Sequence, residues 1–176
     1  HNMNMFKIKT SLFALSTMVV ASQALAQQEG SVPINGTVQS RCVIQADTAG
    51  TYGNPNAYEL NTAATAGGNN AVIRVDVTLA DSYYVNITAP SSFSNSPTLP
   101  DTVTWTGDTT VKTLSDATGM SGYETGKQEL GMVDKYDLTV VGSTWFETES
   151  KATLGGSRAF PGGNYTALVE AECIAK

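Results

Sequence analysis

The chain has 176 residues, 15% of them charged, and a net charge of −6, which suits one domain with a single hydrophobic core. Its acidity argues against nucleic acid or an anionic membrane as a partner. The only histidine is His1, which lies before or at the apparent start of translation. A catalytic triad that needs histidine and a histidine-ligated metal site are therefore excluded for the rest of the chain.

Residues 1–26 have the three regions of a secretory signal peptide. Lys7 and Lys9 supply the positive charge, residues 12–21 form the apolar core, and residues 24–26 (Ala-Leu-Ala) match a cleavage site. The apolar run is too short and too interrupted by Ser and Thr to span a bilayer. We therefore expect an exported protein whose mature chain, residues 27–176, contains no membrane span.

The mature chain contains two cysteines, Cys42 and Cys173, near its two ends. In an exported protein two cysteines most simply form one disulfide, although two buried free thiols are the alternative. Of the ten basic residues of the whole chain, two lie in the signal segment, so eight basic and sixteen acidic residues give the mature chain a net charge of −8.

Short runs of β-branched and aromatic residues between Gly, Pro, Asn, Asp and Ser clusters predict an all-β chain, since helical periodicity is almost absent. The predicted strands, in chain order, are 32–44, 58–60, 71–79, 83–88, 102–105, 109–114, 136–141, 144–148 and 165–174. Segments 106–108 and 141–143 are predicted to be hairpin turns, and 67–70, 91–100 and 115–131 to be loops, the last with room for one short helix or strand. Many short antiparallel strands with frequent turns favour a β-sandwich.

The segment 30–38 (GSVPINGTV) follows the signal peptide directly. Val32, Ile34, Gly36 and Val38 alternate, so they point to one face of an extended strand. Such an apolar face has to be buried, either in this domain's own sheet or in a sheet of another molecule.

The C-terminal residues also alternate. Tyr165, Ala167, Val169, Ala171 and Cys173 share one face, and most of these side chains are small and apolar. Small residues on that face leave room for the side chains of a neighbouring strand.

These two ends resemble the pilin subunits of chaperone–usher fimbriae, in a type 1-like or related family. Residues 30–42 are similar to the family's N-terminal extension and first strand, a Gly-x-Val run leading to the first cysteine. Gly163, fourteenth from the end, followed by Tyr165 and an alternating strand, resembles the family's C-terminal pattern. The chain departs from the family in two places: no second cysteine follows on the second strand, and Ala175 stands where tyrosine is common.

The resemblance implies an incomplete immunoglobulin-like sandwich, residues 41–176, that is completed by a donor strand from another subunit. The donor strand would lie in the extension, residues 27–40, with Val32, Ile34, Gly36 and Val38 contacting the neighbour. The groove wall would be formed by Tyr165, Ala167, Val169 and Ala171. Implied partners are identical or homologous subunits, a periplasmic chaperone and an outer-membrane usher. The chain would pass through the periplasm to a cell-surface fimbria that serves adhesion and biofilm formation.

Two other functions stay open. A secreted or periplasmic binding module would pair its N-terminal strand within its own sheet and could bind sugar through Trp105 or Trp145. A hydrolase could use paired acids, for which the candidates are Glu147 with Glu149, Glu170 with Glu172, and Asp134 with Asp137. We expect no catalytic residue, cofactor or metal ligand, because a solvated strand face explains such acid pairs as well.

Overall fold

The computed structural model describes residues 28–176, so the predicted signal peptide, residues 1–26, lies outside the described part. The ten strands are β1 (Cys42–Thr48), β2 (Gly53–Asn56), β3 (Glu59–Asn61), β4 (Ala71–Val77), β5 (Tyr83–Thr88), β6 (Val103–Leu114), β7 (Gln128–Leu130), β8 (Val133–Leu138), β9 (Gly142–Leu154) and β10 (Glu170–Ala175). Within the described residues, the helical structure is limited to two 3₁₀ segments, Ala64–Ala66 and Gly155–Ser157.

The first sheet has six strands arranged around β9. Along one edge of β9, β4 pairs with its first half and β3 with its second half, while β6 pairs along the opposite edge. β1 continues the sheet beyond β4, and β2 continues it beyond β3. All of these pairs are antiparallel.

The second sheet has four antiparallel strands in the order β10-β5-β8-β7. Its inward face packs against the first sheet, and the core lies between them. Tyr136 of β8 and Phe146 of β9 are fully buried, with ring centroids 4.5 Å apart. Around them lie Val75, Val77, Val85, Ile87 and Leu138, contributed by both sheets. The prediction of an all-β sandwich is therefore confirmed.

The predicted hairpin turn at 106–108 is wrong, because β6 runs through it without a break. Thr106, Gly107 and Asp108 pair with consecutive residues of β9. Gly107 serves a packing requirement and not a turn: a Cβ at this position would lie 2.4 Å from the Cβ of Ala89. Glycine inside a strand commonly marks such a close approach.

Two further predictions, at 141–143 and at 165, also differ from the structure. Segment 141–143 is no hairpin, since β8 and β9 belong to different sheets. β10 begins at Glu170 and not at 165, because its partner β5 ends at Thr88 and Pro90 has no N–H for a ladder. The segment 115–131 contains one short strand, β7, as its composition allowed.

Residues 28–41 form no strand, so the strand predicted for 32–44 is wrong before Cys42. The side chains of Val32, Ile34 and Val38 are 89%, 99% and 94% exposed. A strand exists only where a neighbour completes its hydrogen bonds, and no such neighbour pairs with this segment within the described chain. By compactness, residues 28–37 belong to a different unit from Val38–Lys176.

Cys42 and Cys173 form a disulfide, as predicted from the cysteine count. It joins the first residue of β1, in the first sheet, to β10, in the second, with a Cα–Cα distance of 6.2 Å. Within the described residues it is the one covalent link between the two sheets other than the chain itself.

We expect replacement of both cysteines by serine to lower the free energy of unfolding by about 5 kcal/mol, because the disulfide closes a loop of 131 residues in the unfolded chain. Denaturant titration of both proteins, with and without reductant, measures the difference. Reductant should leave the serine variant unchanged. A loss below about 1 kcal/mol would contradict the chain-entropy account.

Candidate functional site

The candidate site lies at the edges of the two sheets. An edge strand presents N–H and C=O groups without ladder partners, and proteins usually cover or shorten such edges. Here the edge strands are β1, β2 and β6 in the first sheet and β7 and β10 in the second.

Side chains cover the outer edge of β6. The backbone N–H of Thr109 donates to Asp134 at 2.8 Å, and its C=O accepts from the hydroxyl of Tyr136 at 2.7 Å. Two residues along, the N–H of Val111 donates to Glu124 at 2.7 Å. These hydrogen bonds replace the ones that a further strand would make.

Lys127, whose side chain is mostly buried, pairs with Glu124 and with two further carboxylates beside it. The Nζ of Lys127 lies 2.9 Å from Asp108, 3.4 Å from Glu124 and 3.5 Å from Glu129. Desolvation lowers the pKa of Lys127. The hydrogen bond to Asp108 and the surrounding negative charges raise it by more, so the pKa lies above the usual lysine value. Burial raises the pKa of Asp134, against the hydrogen bond from the Thr109 N–H.

Three of these carboxylates, those of Asp108, Glu129 and Asp134, lie within 4.8 Å of one another. The ammonium of Lys127 lies among them and supplies the positive charge that such a cluster requires. Asp134 of this cluster therefore bonds to the edge of β6, and the ammonium of Lys127 accounts for the close approach of the carboxylates.

The remaining protected edges are short. β7 has three residues, and β2 has four, of which one is Pro55. Short strands and proline are common means of preventing a further strand from pairing.

In contrast, β1 and β10 each have one long open edge. β1 pairs only with β4, and β10 only with β5, in the described part of the chain. In an antiparallel ladder, alternate residues direct their N–H and C=O groups away from the partner, so both strands present groups without a ladder partner. On β1, the hydroxyl of Ser40 bonds to the N–H and the C=O of Cys42, which leaves the later residues of the strand open.

A groove of about 730 Å³ lies between the end of β1 and the segment that precedes β10, and we call it the edge groove. One wall is the segment 46–52, from the end of β1, and the other is the segment 163–169, which leads into β10. The floor consists of residues from β3, β4 and β9 and the loops beside them: Leu60, Thr62, Ala71, Val72, Ile73, Pro90, Thr148 and Ser150.

The hydroxyl groups that line part of the floor bond to one another and to the main chain. The hydroxyl oxygens of Tyr52 and Ser150 are 2.8 Å apart, and the N–H of Ser150 donates to the hydroxyl of Thr62 at 2.9 Å. Burial raises the pKa of Tyr52, and its hydrogen bond with Ser150 opposes that shift. Because these polar groups bond to one another, an apolar side chain can enter without leaving them unpaired.

An aromatic cluster connects the two walls of the groove. The ring of Phe93 lies 6.3 Å from Tyr52 on one wall and 5.2 Å from Tyr165 on the other. Trp105 at 4.6 Å and Phe160 at 6.2 Å complete the cluster. The sequence offered no sign of it, since the five residues are scattered between positions 52 and 165.

Three of the four predicted wall residues, Tyr165, Ala167 and Val169, line the edge groove. Ala171 lies in β10 and packs half-buried against the core. The predicted donor residues other than Val38 lie in the N-terminal unit, where they are exposed.

The residues considered for other functions lie elsewhere. Trp105 belongs to the aromatic cluster. The ring of Trp145 lies under Arg74 at 5.1 Å, and its Nε1 donates to Asp47 at 3.2 Å. Of the acid pairs, Glu147 and Glu149 lie on β9, Glu170 and Glu172 on β10, and Asp134 and Asp137 on β8, where Asp137 pairs with Lys176.

Comparison with protein-family models, with curated proteins and with solved structures gives no match. In the described part of the chain we find no helix with the length and apolar character needed to cross a membrane. The disulfide is typical of proteins that reach an oxidising compartment.

We expect Asp134→Ala to lower the free energy of unfolding by about 1–3 kcal/mol, because it removes the acceptor of a buried N–H. Asp134→Asn keeps an oxygen at the same place and should cost clearly less. Chemical denaturation measures both. Equal losses for the two variants would show that the carboxamide oxygen does not replace this hydrogen bond.

Proposed function

We propose that this chain is a structural subunit of a bacterial surface fimbria that polymerises by donor-strand exchange. The observation that carries the proposal is the edge groove, which lies between the end of the open-edged β1 and the segment that leads into the open-edged β10, whereas side chains bond to Thr109 and Val111 on the edge of β6. An open edge on a long strand is a template for an added strand.

The same chain carries a segment suited to that position. Val32, Ile34 and Val38 alternate and are almost fully exposed. The seven residues 32–38 would extend about 20 Å as a strand, which matches the seven residues of β1. Burying each of these side chains in a second copy contributes about 1.5–3 kcal/mol.

The proposed partners are those that the resemblance to chaperone–usher pilins implies. Before assembly, unpaired main-chain groups and an apolar groove would favour aggregation, so a periplasmic chaperone that lends a strand is the expected first partner. An outer-membrane usher and identical or homologous subunits complete the proposed assembly. A filament needs each copy to act once as donor and once as acceptor, which is a head-to-tail arrangement.

We expect Ile34→Lys to abolish polymerisation of the mature chain, because the lysine would lie in an apolar groove. The matched control is Asn35→Lys, whose side chain points to the opposite face of the extended segment. Electron microscopy and sedimentation measure filaments, and circular dichroism checks the fold. A wild-type chain that stays a stable monomer at high concentration would refute the proposal.

We expect Ala46→Arg to block the acceptor side, since Ala46 lines the edge groove, whereas Gln45→Arg on the outer face of β1 should polymerise normally. Mixing the Ile34→Lys and Ala46→Arg chains tests the head-to-tail arrangement directly. The Ala46→Arg chain keeps its donor segment, and the Ile34→Lys chain keeps its acceptor groove. The mixture should therefore sediment as a discrete heterodimer. Longer filaments or no association would contradict it.

A further inference from the structure

The edge groove is closed at its two ends by two different links. At one end the disulfide joins Cys42 to Cys173, and at the other Phe93 lies between Tyr52 and Tyr165. β1 begins at Cys42 and continues into the segment 46–52. The segment 163–169 is followed by β10, which contains Cys173. The two walls therefore converge on the disulfide.

Between these ends, each wall is held only by its own side of the molecule. The segment 46–52 bonds to Asn69 through Thr51, and the segment 163–169 bonds to Asn95 through Thr166. Within residues 28–176, no hydrogen bond connects the two walls, and β1 shares no ladder with β10. The width of the edge groove thus depends on its end links.

The spacing at the disulfide has a direct consequence for a bound strand. Neighbouring strands lie about 4.8 Å apart, so a strand inserted between two others needs them about 9–10 Å apart. The Cα atoms of Cys42 and Cys173 are only 6.2 Å apart. No strand can pass between them, so the disulfide marks the place where an inserted strand ends.

We propose that the Cys42–Cys173 disulfide is a clamp on the edge groove: it sets the separation of the two walls and stops the inserted strand, so that the groove binds its strand only in the oxidised chain. This inference rests on the proposed function. Reduction by a dithiol transfers two electrons and two protons to the disulfide, which gives two thiols, while the dithiol becomes a cyclic disulfide. The walls are then free to separate.

The test moves the cross-link away from the groove and keeps a disulfide. Val77 lies directly opposite Cys42 on β4, so Val77→Cys with Cys173→Ser allows Cys42 to form a disulfide inside the first sheet. Two proteins are compared: the relocated variant and the chain with the native Cys42–Cys173 disulfide. Both are mature chains that carry Ile34→Lys, which prevents them from acting as donors. The probe is a fluorescent peptide of residues 28–39, and anisotropy measures its binding.

We expect the relocated disulfide to weaken peptide binding at least tenfold, with a native circular dichroism spectrum and a cooperative thermal transition. Binding within threefold of the native pairing would overturn the clamp and leave the proposed function intact. If neither chain binds the peptide, the proposed function itself fails. The two failures are therefore distinct.

Amide hydrogen exchange provides a second measurement if the relocated variant does not fold. After reduction of the native chain by a dithiol, we expect faster exchange in residues 44–51 and 166–171 and unchanged exchange in β5 and β8. Equal acceleration throughout, or complete unfolding, would show that the disulfide acts only on global stability. No change in the two walls would also overturn the clamp.

Discussion

Unpaired main-chain groups along β1 and β10 are the constraint on which the rest of this structure depends. A buried N–H or C=O without a partner costs free energy, so these two edges must face water or another strand. Because each edge belongs to a different sheet, the core between them opens to the surface as the edge groove. The small floor residues and the exposed apolar segment before β1 are both consistent with a strand that comes from another molecule.

Not every edge strand of this fold is open, because side chains bond to main-chain groups on the edge of β6. There, Asp134, Glu124 and Tyr136 supply the hydrogen bonds of an absent strand, and Lys127 balances the carboxylates. Asp134 and Tyr136 are buried, and their hydrogen bonds to Thr109 offset the cost of removing them from water. Side chains thus bond to Thr109 and Val111 on the edge of β6, whereas no strand pairs with the outer edges of β1 and β10, which the disulfide joins.

The disulfide and the aromatic cluster solve a problem that an open sandwich creates. With no strand between them, β1 and β10 would have only the core residues beneath to keep the two sheets together on this side. Cys42 and Cys173 link the sheets at one end of the groove, and the ring of Phe93 contacts Tyr52 and Tyr165 at the other. The two walls are therefore linked at both ends of the groove.

Alternation and turn residues in the sequence determined the all-β class, most strands and the disulfide, because these depend on local periodicity and on a count of two cysteines. They also pointed to Tyr165, Ala167 and Val169. Local pattern could not show that β6 continues through Gly107, since close approach of Ala89 requires that glycine. Nor could it find the Phe93 cluster or the cover over β6, whose members are far apart in the chain. Only the tertiary structure decided which edges are paired, because pairing depends on residues brought together from distant positions.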